Sequence, residues 1–125
     1  MKNIKLKPGE FAYCEEPSIV STEVDSSVVV CIWDKKRNIG GICSYNKPVN
    51  PDKEKFSNEY GNNAILNLVK LFKYNGSEKD DLVSKIIGGG LNKESNVDAN
   101  HQFGSENTKT ALRLLDKFDI SVTGN

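Results

Sequence analysis

Neither sign of charge is in excess in this 125-residue sequence: Lys and Arg total 17, and so do Asp and Glu. A chain without a net field is not steered toward nucleic acid or an anionic membrane, which leaves a protein or a small molecule as partner. No stretch reaches the apolar length that spans a bilayer. The amino terminus, Met1-Lys2-Asn3-Ile4-Lys5-Leu6-Lys7, carries charge where a secretory signal needs an apolar run. Cysteine is sparse: Cys14, Cys31 and Cys43 form no CxxC motif, and three thiols cannot all pair. Reduced cysteines in a cytoplasmic protein are the simplest account, with Cys31 and Cys43 as small core residues inside apolar runs. Histidine is reduced to one, His101, and no Cys or Asp stands at a metal-ligand spacing from it, so no metal or other cofactor is expected. Repeats, linkers and low-complexity tracts are also missing. The expectation is one domain over residues 1–125.

What is present suits a packed domain. Hydrophobic residues make up 37% and charged residues 27%, a balance that supports a core at this length. Val28-Val29-Val30-Cys31-Ile32-Trp33 is continuous and β-branched and predicts a buried strand. The polar run Asp34 to Asn38 predicts a turn into a second strand, Ile39 to Tyr45, giving a hairpin. Gly40 and Gly41 inside that strand predict a bulge or a close approach by another backbone. An earlier strand is expected near Ile19-Val20-Ser21.

Asn46 to Asn58 carries Pro48 and Pro51 and reads as a loop. A helix is expected from about Ser57 or Asn58, with Tyr60, Ala64, Ile65, Leu68, Leu71 and Phe72 on one face and Asn75-Gly76 as its left-handed stop. Leu82 to Ile87 predicts a third strand, ended by Gly88-Gly89-Gly90. Asn92 to Gln102 is polar and reads as an exposed loop. Ser105 is the expected cap of a last helix, with Ala111, Leu112, Leu115 and Phe118 on one face. Ile120-Ser121-Val122 begins a final strand. This order gives an α+β domain: a mixed sheet or sandwich core with two main helices packed on it.

Few residues offer chemistry. Gly88-Gly89-Gly90 follows a strand as a phosphate cradle would, but Lys93 does not complete a Walker loop and no helix opens directly after it. His101 reads as a surface-loop histidine, and a catalytic role needs Cys31 or Cys43 within hydrogen-bond reach of it. Trp33 reads as an exposed anchor or as half-buried packing, and its place at a strand end makes packing the default. Ser21, Ser26, Ser27 and Ser44, judged by periodicity alone, read as serines that are solvated or hydrogen-bond a turn.

The string Asp25-Ser26-Ser27-Val28-Val29-Val30-Cys31-Ile32-Trp33-Asp34, followed by Ile39-Gly40-Gly41-Ile42, resembles CheD, the chemoreceptor glutamine deamidase family of chemotaxis. That family reads like LGSCVAVCLYD and then a GxGGMAH-type strand. The resemblance continues at Tyr60 and Ala64, at Lys85-Ile86-Ile87-Gly88-Gly89-Gly90, which is similar to KIFGGA, and at Phe103-Gly104-Ser105-Glu106-Asn107, which is similar to IGxxN. The blocks occur in the family's order and cover nearly the whole chain. The resemblance implies a cysteine-hydrolase fold that converts glutamines on receptor helices to glutamate. It also implies binding to CheC, a response-regulator phosphatase.

In that family a cysteine attacks, a histidine is its base and an upstream threonine assists. The resemblance maps these positions onto Ser27, Ser44 and Ser21 respectively. The family's later DxGG segment is not matched at Thr123-Gly124-Asn125. A serine hydroxyl has essentially no alkoxide at neutral pH, and Ser44 cannot serve as a base. Three readings follow. The first is a CheD-like protein, inactive or impaired, that binds a CheC-like phosphatase or chemoreceptor helices. The second is an active amidohydrolase built on Ser27, or on Cys43 with His101. The third is the same fold reused for binding or structure outside chemotaxis.

Overall fold

The computed structural model describes residues 2–22, 27–52, 55–88 and 99–123, with side chains in the last segment described from Glu106 onward. Two helices lie against a five-stranded sheet, and a two-stranded sheet accompanies it. The architecture is α+β, as the pattern predicts.

The chain opens with β1 (Lys2–Leu6), β2 (Phe11–Cys14) and β3 (Ser18–Thr22). β1 and β3 pair in parallel, Lys2 opposite Ser18 through Leu6 opposite Thr22. Neither β1 nor β2 was expected from the sequence. In β1 the lysines mask an alternation in which Leu6 is buried and Ile4 half-buried while Lys5 is exposed.

β4 (Val28–Asp34) and β5 (Ile39–Tyr45) form the predicted hairpin. The Asp34 carboxylate organises its turn: Oδ1 accepts from the backbone N–H groups of Lys36 and Arg37, each at 2.9 Å. Oδ2 accepts from the Ser77 hydroxyl at 2.6 Å and the Arg37 guanidinium at 3.3 Å. β6 (Leu82–Gly88) pairs antiparallel with β4 after a short 3-10 turn at Lys79–Asp81, and β7 (Ser121–Val122) runs parallel to β6. The resulting order is β2-β5-β4-β6-β7.

Strand alternation sorts the side chains into two layers. Val28, Val30 and Ile32 of β4, Cys43 and Tyr45 of β5, and Leu82 and Ile86 of β6 face the helices and are buried. α1 (Gly61–Tyr74) meets them with Ala64, Ile65, Leu68, Val69 and Phe72, and α2 (Ala99–Lys117) with Ala111 and Leu115. The Tyr45 hydroxyl, inside this layer, donates to the Asn107 carbonyl oxygen at 2.6 Å and ties β5 to α2.

Several expectations need correction. α1 starts at Gly61 rather than near Ser57, because the chain is still bonded to the loop there: Gly61 N–H donates to the Lys47 carbonyl. Its buried stripe takes in Val69, while Leu71 is only half-buried. Leu112 is 41% exposed, since the stripe of α2 centres on Ala111 and Leu115. α2 also begins at Ala99, inside the span read as a loop, so His101 and Gln102 are helical and Ser105 is not its cap. Polar residues do not forbid a helix whose later turns are anchored by packing.

Gly40 and Gly41 make no bulge, because the β4–β5 register is continuous through both. The close approach at Gly41 is by side chains: a Cβ there would lie 2.7 Å from Phe72 Cε2 and 2.9 Å from Leu68 Cδ1. Gly76, at φ +92°, closes α1 in the left-handed conformation expected of Asn75-Gly76. The readings of Ser26, of Gly89 and Gly90, and of the polar run over 92–98 lie outside the described residues. Among the described residues no helix is long and apolar enough to cross a membrane.

Candidate functional site

The side of the five-stranded sheet away from the helices carries Ser27 and Ser44. Ser27 immediately precedes β4 and is 5% exposed; Ser44 lies in β5 and is fully buried. Ser44 stands opposite Val29, and alternation puts Ser27 on the same side as Val29. The two serines are therefore diagonal neighbours, a relationship that strand geometry holds at about 7 Å.

Ser44 is fixed through its backbone. Its N–H donates to the Glu10 carbonyl at 3.2 Å, and its carbonyl accepts from Gly9 N–H at 2.7 Å. The turn between β1 and β2 thus holds this end of β5. Its hydroxyl oxygen is buried and has no hydrogen-bond partner among the described residues. A hydroxyl so held neither titrates near neutrality nor takes a proton from a neighbour.

Ser21 is exposed on the outer side of β3, whereas Ser18 and Val20 border the gap beneath that strand. Alternation brings Thr22, not Ser21, to the inner side, where it is half-buried. The signal for this was the strand period itself: a one-residue change in register exchanges the two faces.

Cys43 neighbours Ser44 in sequence but points the other way, into the helix-facing core at 1% exposure. Burial, with the nearby Cys31 adding to it, pushes its thiol up to about 12 against one opposing hydrogen bond from Val30. Cys31, by contrast, is half-buried on the Ser27 side, opposite Lys85 of β6. Burial raises its thiol as well, and the Lys85 ammonium partly opposes the rise. His101 lies in the first turn of α2, and its side chain is outside the described residues. The structure brings Ser27 and Ser44 together and separates Cys43 from them by the thickness of the sheet.

A cavity that no sequence motif marks lies on this same side. It has a volume of about 440 Å³ and lies between β3 and the hairpin end of β4 and β5, bordered by Cys14, Cys31, Trp33 and Gly40 among others. Among the described residues no group of three or more His, Cys, Asp or Glu side chains is arranged to hold a metal ion.

A family model described as CheD chemotactic sensory transduction matches residues 46–125, more than half of the chain. The chain belongs to the CheD family. The probable chemoreceptor glutamine deamidase CheD of Sulfurimonas denitrificans is 29% identical over 109 residues, covering 87% of this chain and 70% of its own length. The protein of the same name from Pseudomonas syringae pv. tomato is 32% identical, covering 95% of this chain and 73% of its own length. That of the archaeon Methanococcus maripaludis is 30% identical over 95% of this chain and 77% of its own.

Membership in CheD sets the chain in chemotaxis and agrees with the four blocks read from the sequence. The family match itself begins after Ser21, Ser27 and Ser44. What those three positions do therefore rests on their chemistry.

Proposed function

We propose that this CheD-family protein is a binding component of chemotaxis that engages chemoreceptor cytoplasmic helices or a CheC-like phosphatase without deamidating them. The observation that carries this reading is the pair Ser27 and Ser44: two hydroxyls share the buried side of β4 and β5, and neither is a base. Amide attack needs a nucleophile that sheds its proton. A thiol near an imidazole does so readily, and a serine needs a positioned general base. Loss of such a base costs roughly 10²–10⁴ in rate, about 3–5 kcal/mol of barrier. With the thiol replaced too, little turnover remains by that route.

The rival constellations have less behind them. Cys43 faces the core with its thiol pushed up to about 12, on the opposite side from Ser27. An amidohydrolase built on Ser27 needs a base that Ser44 does not supply. Family membership supports chemotaxis over a use of the fold elsewhere. A protein acting at receptor helices or on a phosphatase of this pathway works in the cytoplasm.

The test pairs binding with chemistry. Calorimetric titration against receptor helical fragments and a CheC-like protein from the same organism is expected to give saturable binding to one of them. Mass spectrometry of the receptor fragment after long incubation is expected to show no gain of about 1 Da per glutamine, the mass change of amide hydrolysis. Absence of binding to both removes the reading, and so does turnover at the rate of a thiol-bearing family member.

A further inference from the structure

The cavity beneath β3 is built as a slot. Across three adjacent strands one row of the sheet runs Cys14, Gly40, Trp33, with Gly40 paired to both neighbours. Gly40 is the floor, and the thiol and the indole are the walls. Ser18 and Val20 of β3 border the slot from the other layer.

Among the described residues nothing requires a glycine at this floor. A Cβ at Gly40 would meet no atom within 4 Å, unlike one at Gly41. Gly40 is also not among the glycines with left-handed backbone. A glycine inside a strand weakens it unless something approaches closely, and Gly40 opens onto the cavity. That cavity, about 440 Å³, falls in the range of small-molecule sites.

Charge selects the occupant. Glu15 and Glu16 follow Cys14 directly and border the cavity, and neither takes part in an ion pair among the described residues. Lys2 borders an adjoining hollow that the same two carboxylates share, and Lys85 stands opposite Cys31 on the β6 side of the cavity, so the negative charge is gathered at the Glu15–Glu16 end. An indole face beside carboxylates favours an organic cation.

We propose that this slot binds a small organic cation with a flat apolar body, an arylalkylammonium in chemical class, seated on the bare backbone of Gly40 against Trp33 with its ammonium toward Glu15 and Glu16. This site is separate from Ser27 and Ser44 and does not depend on the function proposed above.

Trp33 is the single tryptophan of the chain, so its emission reports on the slot directly. The full chain is titrated with phenethylammonium, 2-phenylethanol and 3-phenylpropionate. Phenethylammonium is expected to give a saturable change in emission, the alcohol to bind about tenfold more weakly, and the carboxylate not to bind. Gly40→Leu fills the slot and is expected to abolish the response without lowering the unfolding temperature. The exposed double variant Glu15→Gln/Glu16→Gln is expected to keep alcohol binding and lose the preference for the ammonium. No saturable response to any compound, equal affinity for ammonium and alcohol in the unaltered chain, or undiminished binding by a folded Gly40→Leu variant each overturns the proposal. Should Gly40→Leu not fold, the Glu15/Glu16 variant decides: an unchanged preference for the ammonium overturns it.

Discussion

Ser27 and Ser44 stand diagonally on the same buried side of the β4–β5 pair, with Val29 opposite Ser44 fixing the register between them. On the function proposed above, a thiol at 27 and an imidazole at 44, both longer than a serine side chain, are the groups that would span this diagonal. Ser27→Cys with Ser44→His is therefore expected to raise receptor-glutamine deamidation at least about 10²-fold over the unaltered chain, with each single variant far below the pair. The readout is mass gain on a receptor fragment, followed with unfolding temperature because an imidazole at a fully buried position costs roughly 1–3 kcal/mol of packing strain. A folded double variant with no more activity than the unaltered chain would show that the diagonal geometry is not competent.

Asp34 gives the fold an acid-sensitive joint. Burial raises its pKa, but the Ser77 hydroxyl, the Arg37 and Lys36 backbone N–H groups and the Arg37 guanidinium together outweigh that and hold it at about 2. A carboxylate whose folded pKa lies below its unfolded value stabilises the protein above the unfolded pKa, near 4. The stabilisation is lost as pH falls through the folded value. The shift corresponds to roughly 2–3 kcal/mol, lost between about pH 4 and pH 2. Urea unfolding midpoints across that range are expected to fall for the unaltered chain. In Asp34→Asn that loss should be largely absent, at a cost of about 1–3 kcal/mol near neutrality from weakened turn bonds. Parallel pH profiles for the two proteins would contradict this assignment.

The strands and helices that form the core were legible because each presents one unbroken period. Val28 to Trp33 reads as a buried strand, and Ala64, Ile65, Leu68 and Phe72 recur at helical steps. β1 escaped because its stability comes from pairing with β3 rather than from its own lysine-rich composition. The start of α2 escaped because tertiary packing farther along the helix, at Asn107, Ala111 and Leu115, compensates for a polar first turn. At the site, sequence indicated which residues to examine but not their sides. Cys43 and Ser44 are adjacent letters on opposite faces, and whether Ser21 or Thr22 turns inward depends on the register of β3. The cavity left no sequence signal beyond a glycine at position 40, which resembles its neighbour until the packing on each side is known.

The thiols should divide by the layer they occupy. Cys43 is enclosed in the helix-facing core and its thiol is pushed up to about 12, whereas Cys14 and Cys31 are half-buried and border the cavity. A disulfide reagent at pH 8 is expected to label Cys14 and Cys31 in the folded protein and to leave Cys43 at least about 10²-fold slower. In Cys14→Ser/Cys31→Ser one thiol should appear only after denaturant is added. Rapid labelling of that variant in buffer would mean that Cys43 is reachable from solvent.

Gly40 and Gly41 are adjacent, paired to the same two strands, and differ only in what faces them. An alanine methyl at Gly41 would collide with Phe72 and Leu68, which are 0% and 1% exposed and hemmed in by the rest of the core. Both side chains are enclosed in the core and must shift to admit the methyl, so Gly41→Ala is expected to cost about 1–3 kcal/mol, the usual range for overpacking. At Gly40 the same methyl enters open space, and losing a glycine's freedom in the unfolded chain stabilises by about 0.4–1 kcal/mol. Thermal unfolding should therefore move in opposite directions for the two variants. Equal destabilisation by both would mean that β3 closes onto the sheet in solution and leaves no slot above Gly40.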